Sequence, residues 1–157
     1  MRHLESLGIE VEKGTHHKQV IYGVVLLYNL IINEIGSYLS RFHLSPSKFN
    51  ILIVIKHQGK TEGISQVEIS KKLIVSAPNM TRLLDKLEKE KLIEKFSQEG
   101  DRRVKLIKIT EKGSKLLNDV WPGYTAKLKI LLNKIPQEDQ KALAHLLSGW
   151  FDILVPG

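Results

Sequence analysis

Two helix-start signals stand close together in the chain and leave few folds open. Ser65-Gln66-Val67-Glu68 is a capping box, in which the Ser65 hydroxyl accepts the Glu68 amide and the Glu68 carboxylate accepts the Ser65 amide. Ser76-Ala77-Pro78 offers a second N-cap, with proline in the first turn behind it. Between them Ile74-Val75-Ser76 interrupts the apolar periodicity. The pattern predicts a short helix over about 66–73, a three-residue turn, and a second helix with Met80, Leu83, Leu84 and Leu87 on its apolar face. Asn79, Arg82 and Lys86 recur at spacings of three and four on the opposite, exposed face.

The flanking segments extend this unit. Leu92–Phe96 and Val104–Ile109 alternate apolar and polar residues and read as strands, joined by a polar loop, Ser97–Arg103, that contains Gly100 and ends in two arginines. Thr110 caps a further helix that holds its spacing to Ile135, with a kink expected at Pro122-Gly123, and Pro136 starts a last helix. Upstream, Ser45-Pro46 opens a helix ending near His57. On propensity alone its β-branched run, Phe49–Ile55, would read as a strand, but the cap and the glycines at 59 and 63 favour helix. A first helix covers roughly 17–41, with one stripe of Val20, Val24, Leu27, Ile31, Ile35 and Leu39 and a second of Ile21, Val25, Tyr28 and Ile32 beside it. A stripe this wide needs a cover, either deep burial inside a monomer or a shared subunit interface. The fold class is therefore mainly α with a small β-hairpin wing, in winged helix-turn-helix order over residues 64–109.

Charge follows that division. The chain of 157 residues has a formal charge of +7, and Lys71–Lys115 carries thirteen Lys and Arg against seven Asp and Glu, a net +6. Such an excess suits a polyanion, with nucleic acid the leading class. The absence of cysteine excludes disulfides, thiolate nucleophiles and Cys-containing zinc sites, and points to the cytoplasm. The first seventeen residues have the charges, and lack the apolar run, that argue against a signal peptide. The apolar stretch Val20–Ile35 is interrupted by Asn29, Asn33 and Glu34, so a buried helix is expected rather than a membrane span. No glycine-rich phosphate loop, His-Glu-x-x-His motif or nucleophile elbow is present, nor a convincing catalytic carboxylate pair, so an enzyme is not expected and neither is a cofactor.

Read together, Gly100-Asp101-Arg102-Arg103 with Leu106-Ile107-Lys108-Ile109-Thr110-Glu111-Lys112-Gly113 resembles the wing signature of the MarR (multiple antibiotic resistance regulator) family, with Ile109 replacing the usual Leu. Leu44–Leu52 is similar to that family's second helix, and Ser76–Glu88 to its recognition helix. The resemblance spans about residues 18–154. It implies a homodimeric transcription regulator, a repressor by default, bound to a pseudo-palindromic operator in double-stranded DNA. It also implies a division into an N-terminal extension (1–17), a helical dimerisation region (18–45 and 111–157) and a winged helix-turn-helix DNA-binding lobe (46–110). Trp150-Phe151 would lie among the interlocking helices.

The same resemblance implies DNA-binding roles for Ser76, Pro78, Asn79, Thr81, Arg82, Lys86, Arg102 and Arg103. Ser76 suits a phosphate, unless its hydroxyl serves only as a cap. Asn79 and Arg82 carry donors that read adenine and guanine edges, unless Arg82 pairs with Asp85, and Lys86 suits a phosphate. Arg103 matches the arginine that enters the minor groove, and Asp101 would orient it; otherwise the wing is a solvated charged turn. A small aromatic or lipophilic effector is the family's usual signal, although its binding residues are unknown. Zinc sensing is not expected, because the predicted fifth helix has no histidine and His16-His17 precede the folded part. Two other readings share the fold: a winged-helix protein-interaction module, and a constitutive DNA-binding protein without an effector.

Overall fold

In the computed structural model, Gly8 and residues 16–59, 62–98 and 101–155 are described, the side chains of 98 and 101–104 excepted. Most of the expected N-terminal extension lies outside them. The elements run α1 (His17–Leu39), a 3-10 turn (Ser40–Phe42), α2 (Pro46–Gln58), β1 (Ile64–Ser65), α3 (Gln66–Leu73), α4 (Ala77–Lys89), β2 (Ile93–Gln98), β3 (Asp101–Ile109), α5 (Glu111–Leu132) and α6 (Gln137–Leu154). The chain divides into two compact units, Met1–Trp121 and Pro122–Gly157.

In the first unit the capping signals set the helix starts. The Ser45 hydroxyl accepts the Lys48 amide at 3.3 Å, and Pro46 opens α2. Phe49, Ile51, Leu52 and Ile55 all become core, so burial decides the β-branched run in favour of helix. The capping box forms as expected, with the Ser65 amide donating to Glu68 Oε2 at 3.0 Å and the Glu68 amide donating to Ser65 Oγ at 3.3 Å. The sheet is antiparallel in the order β1-β3-β2, with Ile64 opposite Ile107 and Ile93 opposite Ile109. Gly63 leads into it at φ +90°, and a Cβ there would lie 2.9 Å from the Phe96 ring.

In the first unit three expectations change. The segment read as a polar loop, 97–103, is largely strand: β2 continues to Gln98 and β3 already begins at Asp101, because backbone pairing extends past the apolar alternation. Residues 99 and 100 lie outside the described residues. The first helix ends at Leu39 and tightens into a 3-10 turn. It is also not a buried helix within one chain. Only Ile35 and Leu39 are buried, while residues of both stripes, such as Val24 and Leu27, stay exposed, Tyr28 at 61%. By length and composition, His17–Phe42 is apolar enough to cross a membrane.

The second unit holds the end of α5 and all of α6. The α5 helix is continuous through Pro122 and stops at Leu132 rather than Ile135. There the Gln140 amide donates to the carbonyls of Leu132 (3.1 Å) and Ile135 (2.8 Å), satisfying groups that further helix would have used. Pro136 is the residue before α6, at ψ 147°, not its first turn, and Glu138 and Asp139 face the positive end of the helix dipole. No residue of α6 is buried.

The capping box makes a pH-dependent contribution. Hydrogen bonds from the Ser65 hydroxyl and amide hold the Glu68 carboxyl below its ordinary pKa. A depressed carboxylate stabilises the fold above the unfolded pKa, and the effect disappears as pH falls through the folded value. Glu68→Ala is expected to lower unfolding stability by about 1 kcal/mol at neutral pH. Urea denaturation across a pH series should show this gap closing below about pH 4; a gap constant in pH would mean the carboxylate charge is not involved.

Candidate nucleic-acid interface

Helix α4 is built with two faces. Met80, Leu84 and Leu87 are fully buried, whereas Ser76, Pro78, Asn79, Thr81, Arg82, Asp85 and Lys86 are exposed. The six residues predicted from this segment, Ser76, Pro78, Asn79, Thr81, Arg82 and Lys86, are therefore all solvent-accessible on or beside one short helix. Ser76 stands at the N-cap with extended backbone, but its side chain makes no capping hydrogen bond. Its hydroxyl and the first amides of α4 face solvent at the positive end of the helix.

The other polar groups are already ordered among themselves. Arg82 Nη2 donates to Asn79 Oδ1 at 3.0 Å, so Arg82 does not form the expected alternative pair with Asp85. The Thr81 hydroxyl donates to the Ala77 carbonyl (3.1 Å) and accepts from Gln66 Nε2 (2.7 Å), joining the first turn of α3 to α4. Asp85 instead meets Lys95 on β2, whose ammonium lies 2.5 Å from Asp85 Oδ1 and 3.0 Å from Glu88 Oε2. Burial alone would lower the pKa of Lys95, but its hydrogen bonds to Asp85 and Glu88 outweigh that and hold it above the usual value. This ammonium pins the middle of α4 to the hairpin.

Sequence reasoning missed Gln66 and Lys95. Gln66 gives no signal beyond a polar residue after an N-cap. Lys95 could have been found from Asp85 and Glu88, a pair at i, i+3 that forms a two-carboxylate seat needing a cation.

On the hairpin, Lys105 Nζ donates to Ser97 Oγ at 2.8 Å, and the Lys108 ammonium lies 4.4 Å from the Phe96 ring centroid. Asp101, Arg102 and Arg103 have their backbone in β3, and their side chains lie outside the described residues. Among the described residues, no group of three or more His, Asp and Glu is placed to hold a metal ion.

A helix-turn-helix with one polar, basic face, flanked by the strands of a three-stranded antiparallel sheet, defines a winged helix-turn-helix protein. The MarR family model matches residues 44–105, which run from the α2 cap into β3. Over those residues the chain is similar to the MarR family, whose curated relatives are transcription regulators rather than enzymes. Among curated relatives, the HTH-type transcriptional regulator MhqR of Bacillus subtilis is 28% identical over 120 residues, covering 76% of this chain and 81% of that protein. A mutant MarR from E. coli complexed with operator DNA has the same fold, with a TM-score of 0.79 at 20% identity over 88% of this chain and 98% of that one. CouR from Rhodococcus jostii, bound to p-coumaroyl-CoA, gives 0.77 at 19% identity over 92% and 98%.

The clamp on α4 is testable. Lys95→Met should lower unfolding stability by about 1 kcal/mol, since Asp85 and Glu88 both lose the ammonium they share. A raised lysine pKa stabilises at neutral pH and is lost only as pH rises through the folded value. Thermal unfolding of the variant and the parent should therefore converge only in strong alkali; equal stability at pH 7 would show that the pair does not hold α4.

Proposed function

We propose that the chain is a sequence-specific regulator of transcription that binds double-stranded DNA as a homodimer in the cytoplasm. The observation that carries this reading is α4 itself, with its apolar side sealed in the core and its donor-bearing side exposed to solvent. A helix of this exposure fits the major groove, about 12 Å wide, while a hairpin follows the backbone towards the neighbouring minor groove.

In this reading Ser76 and the α4 N-terminal amides bind a phosphate, and Pro78 brings the backbone close to the DNA. Asn79 and Arg82 read base edges as a hydrogen-bonded pair. Thr81, with its hydroxyl engaged, offers its methyl group to a thymine methyl, and Lys86 contacts phosphate. Arg102 and Arg103 serve the wing, Asp101 orienting Arg103. The exposed apolar residues of α1, α5 and α6, among them Tyr28, Ile130 and Phe151, support 18–45 and 111–157 as the dimerisation region. Two lobes on a twofold axis then read half-sites about one helical turn apart. CouR's bound p-coumaroyl-CoA supports a small-molecule signal in this fold, one that shifts operator affinity only by binding the free and DNA-bound arrangements unequally.

Fluorescence anisotropy against a duplex from upstream of the protein's own gene, with a scrambled duplex as control and across a salt series, tests the reading. Tight binding to the upstream duplex alone, with affinity falling steeply in salt, is expected. No binding to either at low salt would sink it and leave the basic face to an acidic protein partner. Arg103→Ala should weaken operator binding without altering the thermal midpoint, and Lys86→Ala should weaken all sequences alike. Asn79→Ala and Arg82→Ala should each relax base preference at a loss of about 1–3 kcal/mol, and together lose less than the sum, because each removes the other's partner.

A further inference from the structure

The polar edge of α4 continues onto a second helix. Gln66, the first residue of α3, is fixed at its base from two sides: Ser65 before it pairs with Leu106 of β3, and the Ser65–Glu68 capping box sets where the helix begins. Its side chain crosses to α4, where Nε2 donates to Thr81 Oγ1 at 2.7 Å. The Thr81 hydroxyl has one hydrogen, and that hydrogen goes to the Ala77 carbonyl at 3.1 Å. Towards α3 the oxygen can therefore only accept, so its partner must bring an N–H, as the Gln66 amide does.

This bond decides a choice that the helix leaves open. A helical threonine divides between two χ1 rotamers, because its hydroxyl can return to a carbonyl three or four residues back, and one rotation carries hydroxyl and methyl together. With Oγ1 held by Ala77 on its own helix and by Gln66 on another, one rotamer is selected and the direction of the methyl with it. Thr81 is exposed, its oxygen is engaged, and the group it has left to present is the methyl. We propose that Gln66 is a positioning residue for base recognition: it fixes the Thr81 methyl for contact with the 5-methyl of a thymine, so that one operator position is read with help from a residue outside the recognition helix. This deepens the DNA-binding reading and rests on it.

Anisotropy titrations of the full chain test it, using the upstream duplex with each thymine in turn replaced by uracil, which lacks only that methyl. At one position the replacement should weaken binding of the parent protein about fourfold, the worth of one buried methyl group. Thr81→Ser keeps the hydroxyl and removes the methyl, and should bring the ratio between the two duplexes at that position close to unity. Gln66→Met keeps the length of the side chain and removes the donor, and should do the same while still binding the thymine duplex. A ratio that stays fourfold in Gln66→Met overturns the proposal, as does a loss of affinity equal on both duplexes with the ratio kept, the mark of a merely structural tie. A ratio that survives Thr81→Ser, or no position sensitive to the methyl in the parent, overturns it too, and these two arms hold even if Gln66→Met fails to fold. A parent that binds no duplex at all overturns the DNA-binding reading itself, an outcome seen before any base is replaced.

Discussion

A seam of backbone bonds ties the hairpin to the start of α5. Thr110 stands between β3 and α5, where its amide donates to the Leu92 carbonyl at 3.1 Å and its hydroxyl donates to the Lys91 carbonyl at 2.8 Å. The same hydroxyl accepts the Gly113 amide at 3.0 Å, capping α5. Gly113 lies so near the Leu92 carbonyl that a Cβ would fall 2.2 Å from its oxygen. No side chain larger than hydrogen fits, so the threonine and the glycine three residues later form one device. It fixes where β2 begins against α5, and through β2 and Lys95 it fixes α4.

Local strain is concentrated where helices must stop. His43 (φ 56°), Ile74 (φ 51°) and Lys91 (φ 60°) are left-handed without being glycine, at roughly 1–2 kcal/mol each. Each is closed by the same reverse bond, from Leu44 to Leu39, Val75 to Ser70 and Leu92 to Leu87. At His43 and Lys91 the bonded residues are buried leucines, so apolar burial offsets the strain. At Ile74 the pair is Ser70 and Val75, and Ile74 itself is 64% exposed. The turn between α3 and α4 is thus the least compensated of the three. The bond from Gln66 to Thr81 spans it on the solvent side, while Ile69, Met80 and Leu84 close the core beneath.

Where a structural choice rests on local chemistry, the chain is readable. The capping box set α3 at Gln66–Leu73, and Ser45-Pro46 started α2 correctly against the propensity of Phe49–Ile55. Choices settled by distant groups were not readable. The partner of Arg82 depended on whether Asp85 was already engaged, and that depended on Lys95, ten residues further along on another element. The end of α5 depended on Gln140 reaching back to Leu132, and the length of the hairpin on strand pairing that continues through polar residues. The breadth of the apolar stripe on α1 was read correctly. What covers it was left open between burial in a monomer and a subunit interface, and the exposure of both stripes sets aside the first.

Charge shows the same limit. The net +6 between Lys71 and Lys115 treats every cation as equivalent, yet the fold assigns several of them. Lys95 neutralises Asp85 and Glu88, Lys112 serves the Glu90 carbonyl, Lys105 holds Ser97, and Lys108 stacks on Phe96. Counterion release depends on the cations that reach phosphate, not on formal charge. The groups on α4 left to meet an anion include Arg82, Lys86 and Lys89, with the amides behind Ser76. The salt dependence of DNA binding should therefore follow the cations that reach phosphate rather than the full formal charge. Among these cations it is Lys95 that ties α4 to the hairpin, through Asp85 and Glu88, so its charge is engaged within the fold.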